Sequence, residues 1–186
     1  MSEKEKMING EFYKPLEDKQ LIQDRIKVKD LCFKYNSLPS SKEEERTELI
    51  KQIFGKTGKQ ICVESNFFCD YGYNIEVGEN FYINHNCVIL DCAKVTFGDN
   101  VLIGPNCSFY TPIHPMDAKT RNTFIERAEP ITVGNNVWFG GNVTVLPGVT
   151  IGDNAVIGAG SVVVKDIPAN MLAVGNPCKP IKKIEQ

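Results

Sequence analysis

The 186 residues hold one tryptophan, two histidines and four methionines. No apolar run approaches the roughly 18 residues that a membrane-crossing helix needs. Neither sign of charge dominates: the formal net charge is −2. That argues against a nucleic-acid surface, and an anionic ligand must then find locally placed lysines. The opening MSEKEKM has no apolar stretch of a secretory signal, so a cytoplasmic location is expected. The seven cysteines are odd in number and include no Cys-x-x-Cys, which supports neither a disulfide framework nor a zinc site. Their plain reading is as small buried hydrophobes in a reducing compartment. No GxxxxGK[ST] or GxGxxG phosphate loop occurs. With a hydrophobic fraction of 42%, the length fits one domain with a sizeable core.

What is present is a repeat. VTIGDNAVIGAG, residues 149–160, holds two copies of one six-residue phrase. The phrase extends back through ICVESN and FFCDYG (61–72), IEVGEN, FYINHN and CVILDC (75–92), and VTFGDN, VLIGPN and CSFYTP (95–112). Two extra residues, Tyr73-Asn74 and Ala93-Lys94, separate these groups. Six further copies fill 131–166. The first and third residues of each hexad are apolar or small, two apart and so on one face of a strand. The fourth to sixth are rich in Gly, Asp and Asn, which suit tight corners. A helix would not survive such spacing. Short strands with regular corners predict a mainly β chain, a parallel β-helix over 61–168.

Residues 1–60 differ. Lys19 to Lys34 reads as an amphipathic helix. Ser41 with Glu44 reads as a capping box before a second helix over Glu43–Phe54. This segment is expected to cap one end of the stack. Residues 169–186 form a C-terminal tail. Residues 113–130 lack the hexad register, and a long excursion from a regular solenoid is expected to be functional. It opens with His114. Imidazole changes protonation near neutral pH, which suits a general base.

The hexads, the Ile113-His114-Pro115 opening and the stretch from ITVGNNVWFGG to NPCKPIKKI resemble the maltose and galactoside O-acetyltransferases, hexapeptide-repeat acyltransferases. GEFY (10–13), DRIKVKDL (24–31) and Tyr35-Asn36 extend the likeness over almost the whole chain. The resemblance implies a left-handed β-helix of triangular section, an exception to the usual right-handed crossover. It implies a homotrimer with active sites between subunits. It also implies acetyl-CoA as co-substrate, a small sugar as acceptor, and no required metal, nucleic acid or membrane.

By the same resemblance His114 is the catalytic base and Asn84 the oxyanion donor. Arg25, Asp70, Tyr82, Asn84, Asp91 and Cys92 match acceptor-side positions. Trp138, Gly141, Ala159, Val164 and Lys165 match the coenzyme groove. Lys179 and Lys182 match basic positions that meet nucleotide phosphates, with Lys here where relatives carry Arg. Two departures concern the acceptor. Glu17 is the candidate for an N-terminal acidic position, and Cys92 stands where some relatives have aspartate. His85 reads as a corner residue, and two histidines do not make a His₃ metal site. Direct attack is favoured over an acetyl-cysteine step, because no cysteine has an activating partner beside it in sequence. Other readings are transfer to a xenobiotic, a serine hydroxyl or an amino sugar, or a non-catalytic binding solenoid. The last predicts a continuous threonine ladder. Threonines 96, 132, 144 and 150 do not make one.

Overall fold

Each hexad ends where the backbone must turn, and the residue at the turn explains the repeat. In the computed structural model, which describes residues 1–185, nine asparagines stand at φ between 55° and 65°. They are Asn66, Asn80, Asn86, Asn100, Asn106, Asn136, Asn142 and Asn154, each at the end of a phrase, and Asn170 just beyond the last one. Asparagine tolerates this left-handed conformation better than other side chains with a Cβ. Seven of these amides also stack, Asn66 on Asn86 and five others in one chain. Asn80 Nδ2 donates to Asn100 Oδ1 at 2.8 Å, and the chain of bonds continues through Asn136 and Asn154 to Asn170. Along that stack corner conformation and corner hydrogen bonding come from one residue type, while Gly72, Gly148 and Gly160 make corners without a side chain.

Successive strands fall on successive faces of a three-sided prism. One face stacks Ile75–Val77, Val95–Phe97, Ile131–Val133 and Thr150–Ile151. The second stacks Ile61–Val63, Phe81–Ile83, Leu102–Ile103, Trp138–Phe139, Val156–Ile157 and Met171–Val174. The third stacks Phe68–Cys69, Val88–Leu90, Ser108–Tyr110, Thr144–Val145 and Val162–Val163. All these pairs are parallel. The result is the expected β-helix. Registers align inward side chains into columns, such as Val63, Ile83, Ile103, Phe139, Ile157 and Ala173, all buried. Phe109 sits between Phe97 and Phe139, with ring centroids at 5.1 and 5.3 Å. The rungs lie close: a Cβ on Gly140 would fall 2.6 Å from the Ala159 nitrogen. The last rung is closed by Lys179–Lys183, which pairs antiparallel with Met171–Val174 and covers that edge.

Three helices precede the prism: α1 (Glu3–Ile8), α2 (Lys19–Ser37) and α3 (Glu43–Ile53). Val28, Cys32 and Tyr35 of α2 and Leu49, Ile50 and Ile53 of α3 join the main core against Val63, Phe67 and Cys69 of the first rung. The expected helices are there, but the capping box at Ser41 and Glu44 is not. A turn from Pro39 to Lys42 makes Lys42 the cap residue, and no side chain caps α3. The reciprocal box is at α1 instead, between Ser2 and Glu5. Six of the seven cysteines are buried, Cys62 is exposed and all are free. Among the described residues no helix is long and apolar enough to cross a membrane.

Asp91 pins the corner where the extra residues enter. It is fully buried, and its carboxylate accepts the backbone N–H groups of Asp70 (3.0 Å), Tyr71 (2.8 Å) and Asn74 (3.3 Å). Burial pushes this carboxyl up to about 7, against the pull of those N–H groups.

Two outcomes follow from these corners. Asn136→Gly keeps the left-handed turn and loses the amide stack, whereas Asn136→Ala loses both. Urea unfolding is expected to find the alanine variant less stable than the glycine variant by about 1 kcal/mol. Equal stabilities would mean that corner conformation is not what Asn136 serves. Asp91 predicts a pH slope. Its folded value lies above the ordinary 3.8, so its contribution is complete below about pH 4 and is lost as pH rises through about 7. The urea midpoint is expected to fall between pH 5 and pH 8 more in wild type than in Asp91→Asn.

Candidate active site

The excursion is a hairpin. Pro112–Ile113 leaves the third face and pairs antiparallel with Arg127–Ala128, with a short helix, α4 (Ala118–Arg121), at its far end. Ile113 lies opposite Arg127, so the next residues along, His114 and Glu126, come to the same place. The Nδ1 of His114 lies 3.3 Å from the Ile125 carbonyl. A carbonyl only accepts, so this contact calls for the proton on Nδ1, the tautomer in which a neutral ring has its lone pair on Nε2. Nε2 is 3.7 Å from Glu126 Oε2, too far for a direct hydrogen bond. The imidazole is half-exposed, while the Glu126 side chain retains only 11% exposure.

Glu126 is held from behind by the N-terminal segment. Tyr13 and Glu126 exchange two backbone hydrogen bonds, at 2.8 and 3.0 Å. The Tyr13 hydroxyl donates to Glu126 Oε1 at 2.5 Å. Burial above all pushes that hydroxyl far above the ordinary phenol range, so it remains a donor. Met7, Tyr13, Leu21, Tyr71, Cys92 and Ala128 close a small core beneath this junction.

From Glu126 the polar contacts run inward. The Cys92 Sγ is 3.8 Å from Glu126 Oε1 and 3.6 Å from Asp70 Oδ2. Burial first, and then the Asp70 and Glu126 carboxylates, push the thiol far above its ordinary range. Cys92 is therefore a protonated bridge between two carboxylates. Asp70 Oδ1 accepts from Arg25 Nη2 at 2.7 Å, and the Arg25 guanidinium lies 6.0 Å over the Tyr71 ring. Arg25 Nε and Tyr71 Oη are buried and find no hydrogen-bond partner among the described residues. The arrangement offers a base, a second carboxylate beside it and a row of donors and acceptors. That is what activating one hydroxyl while gripping others requires.

Other expected residues lie elsewhere. Asn84 stands at a corner of the second face, and its Oδ1 accepts the His85 N–H at 2.8 Å. His85 Nε2 is 3.8 Å from Glu64 Oε2. Tyr82 and Trp138 belong to the outward column of that face, each in register with Leu102. Trp138 keeps 54% exposure. Gly141 lies over Pro105, and Ala159 packs on Gly140. Val164, Lys165, Lys179 and Lys182 are exposed near the closing rung. Glu17 pairs with Lys14 at 2.8 Å at the surface. Asp91 faces backbone rather than the cluster. One chain thus brings together His114, Cys92, Asp70 and Arg25, and adds Tyr13 and Glu126. No hydrogen bond among the described residues joins Asn84, Tyr82 or Trp138 to them. Glu126 carries no motif signal, because only the hairpin register places it opposite His114. Among the described residues no group of three or more His, Cys, Asp or Glu side chains could hold a metal ion.

Comparison with known proteins agrees with both halves of the molecule. Residues 6–58 match the maltose acetyltransferase hexapeptide capping motif, and residues 130–165 match the bacterial transferase hexapeptide of six repeats. A maltose O-acetyltransferase from Clostridium difficile 630 is 53% identical, with a TM-score of 0.98 over 100% of this chain and 99% of that one. A galactoside acetyltransferase in complex with coenzyme A is 43% identical, with a TM-score of 0.96 over 100% and 92%. A hexapeptide-repeat acetyltransferase from Vibrio cholerae O1 biovar eltor, complexed with acetyl coenzyme A, is 37% identical, with a TM-score of 0.92 over the full length of both chains. The capping segment and the stack of hexads are thus matched by family models and the whole chain by solved relatives, and the chain belongs to the maltose and galactoside acetyltransferase family of hexapeptide-repeat acyltransferases.

Proposed function

We propose that this acyltransferase moves the acetyl group of acetyl-CoA to a hydroxyl of a small sugar, in the cytoplasm, with His114 as the base. The observation that carries the reading is the His114 geometry. Nδ1 is committed to the Ile125 carbonyl, and the 3.7 Å gap between Nε2 and Glu126 suits a bridging hydroxyl. His114 Nε2 takes the hydroxyl proton as the oxygen attacks the thioester carbonyl. The tetrahedral oxyanion collapses, the carbon–sulfur bond breaks, and the imidazolium returns its proton to the departing thiolate. Glu126 and Asp70 accept from neighbouring sugar hydroxyls, with Tyr13, Arg25 and Cys92 fixing those carboxylates. A covalent acetyl-cysteine route is disfavoured, because the thiolate is the nucleophile and Cys92 is held as a thiol.

The donor and the oxyanion contacts come from a second copy of the chain. Asn84, Tyr82 and Trp138 share a face that does not carry His114. Along that face Leu102 and Trp138 keep 50% and 54% exposure, an apolar column suited to burial by another subunit. In a homotrimer, Asn84 of one subunit donates to the oxyanion formed at His114 of the next. Trp138, Gly141, Ala159, Val164 and Lys165 line the coenzyme groove, and Lys179 and Lys182 meet its phosphates. Asp91 is not an acceptor contact in this reading, since its oxygens are spent on backbone N–H groups.

Thiol release from acetyl-CoA, measured with maltose, glucose, galactosides and chloramphenicol as acceptors, is expected to be sugar-dependent. It should fall by about 10²–10⁴-fold in His114→Ala. Release that survives the substitution would remove His114 as the base, and release with chloramphenicol alone would remove the sugar. Co-expression tests the shared site. His114→Ala and Asn84→Ala, each inactive alone, should recover a measurable fraction of activity when assembled together, because some junctions then carry both native residues. No recovery would place the two residues in one subunit's site.

A further inference from the structure

Among the described residues ten other than glycine stand at positive φ; nine are the corner asparagines and the tenth is Phe124, at 58°. A phenyl side chain gains nothing from that conformation and is strained by it. Nor is Phe124 there to fill a core, since it keeps 64% exposure. The turn is held locally: the Phe124 N–H donates to the Arg121 carbonyl at 3.0 Å. Arg121 Nη1 in turn donates to the carbonyls of Pro115 (3.2 Å) and Met116 (2.8 Å), bracing the two sides of the hairpin. The strained residue immediately precedes Ile125, whose carbonyl orients His114. His114, Arg121, Asn122 and Phe124 together line a cavity of about 360 Å³.

An exposed aromatic held under strain beside a base, in a cavity it shares with that base, is placed to meet what the base acts on. We propose that Phe124 is a specificity-determining residue. Its ring is the platform on which the C–H face of the acceptor's pyranose rests while a hydroxyl of that acceptor meets His114 Nε2. This rests on the sugar-acceptor reading above. The polar cluster around Glu126 and Asp70 recognises hydroxyls, and Phe124 supplies the apolar surface that such a cluster lacks. The hairpin fixes both through consecutive residues, so ring contact and base orientation are set together.

Phe124→Gly separates binding from structure, because glycine takes the same φ without strain. Melting is expected at the wild-type temperature or above it. The KM for the sugar acceptor should rise roughly tenfold while the KM for acetyl-CoA stays unchanged. Phe124→Tyr should restore the acceptor KM. A lowered melting temperature with an unchanged acceptor KM would make Phe124 structural. A raised acetyl-CoA KM alone would move it to the donor side. Either result overturns the proposal. Saturation-transfer NMR with p-nitrophenyl glucoside gives a readout without turnover. Ring protons should receive saturation from wild type and far less from Phe124→Gly, and equal or absent transfer in both would overturn the proposal. A wild type that acetylates no sugar would remove the proposed reaction, and the transfer difference would still decide Phe124.

Discussion

The structure depends on a corner that most residues cannot make. After most of the short strands the backbone passes through the left-handed region, where the sequence places asparagine in nine cases and glycine at 72, 148 and 160. Once the corners are made, the strands have no choice of face, and the inward residues fall into columns. The stacked amides from Asn80 to Asn170 then tie rung to rung along one edge. Parallel strands of two or three residues would hold little by themselves. Here each interior strand is bonded above and below, and its inward side chain is buried between two neighbours, as Phe139 is between Ile103 and Ile157. Such a frame accepts a long insertion between two rungs without losing register. Ile131 still pairs with Val95 across the whole excursion.

That tolerance is what the site uses. The hairpin departs from a fixed edge, so its two strands return to a fixed register, and His114 meets Glu126 through the pairing of Ile113 with Arg127. The N-terminal segment adds the third side: Tyr13 joins the hairpin as an isolated bridge to Glu126, and α2 brings Arg25 to Asp70. The base thus sits on the insertion one residue beyond a strand pair, Ile113 with Arg127, whose departure and return the prism fixes.

Periodicity makes the prism legible, since hexads state both the inward face and the corner. It also announces the excursion by its own failure there. The amphipathic stretch from Lys19 and the run after Glu43 announce α2 and α3 for the same reason. Local signals fail where tertiary contacts decide. The turn from Pro39 to Lys42 overrode an apparently good cap at Ser41. Glu126 is one acid among many until the hairpin register is known, and Tyr13 is one tyrosine of six. Asp91 reads as a polar corner beside the site, yet burial and three backbone donors turn it into a structural anchor. That Asn84 and His114 leave different faces of the prism follows from counting hexads only once three faces are known.

Cys92 then acquires a physical reason. It lies within sulfur hydrogen-bond range of both Asp70 and Glu126. An aspartate there would set three carboxylates against one another in a nearly closed core, with the buried Asp91 next along the chain. Charge of one sign at that density raises the proton affinity of every member. A buried thiol avoids this: it stays protonated, carries no charge and has a hydrogen to offer either neighbour. With Cys92 neutral, the acidic character near the base falls to Glu126 on the hairpin. Its closeness to His114 is set by backbone pairing rather than by a corner side chain. The thiol at position 92 and the carboxylate at position 126 are thus two parts of one electrostatic arrangement. Tyr13 completes it by donating to the oxygen of Glu126 that faces away from His114.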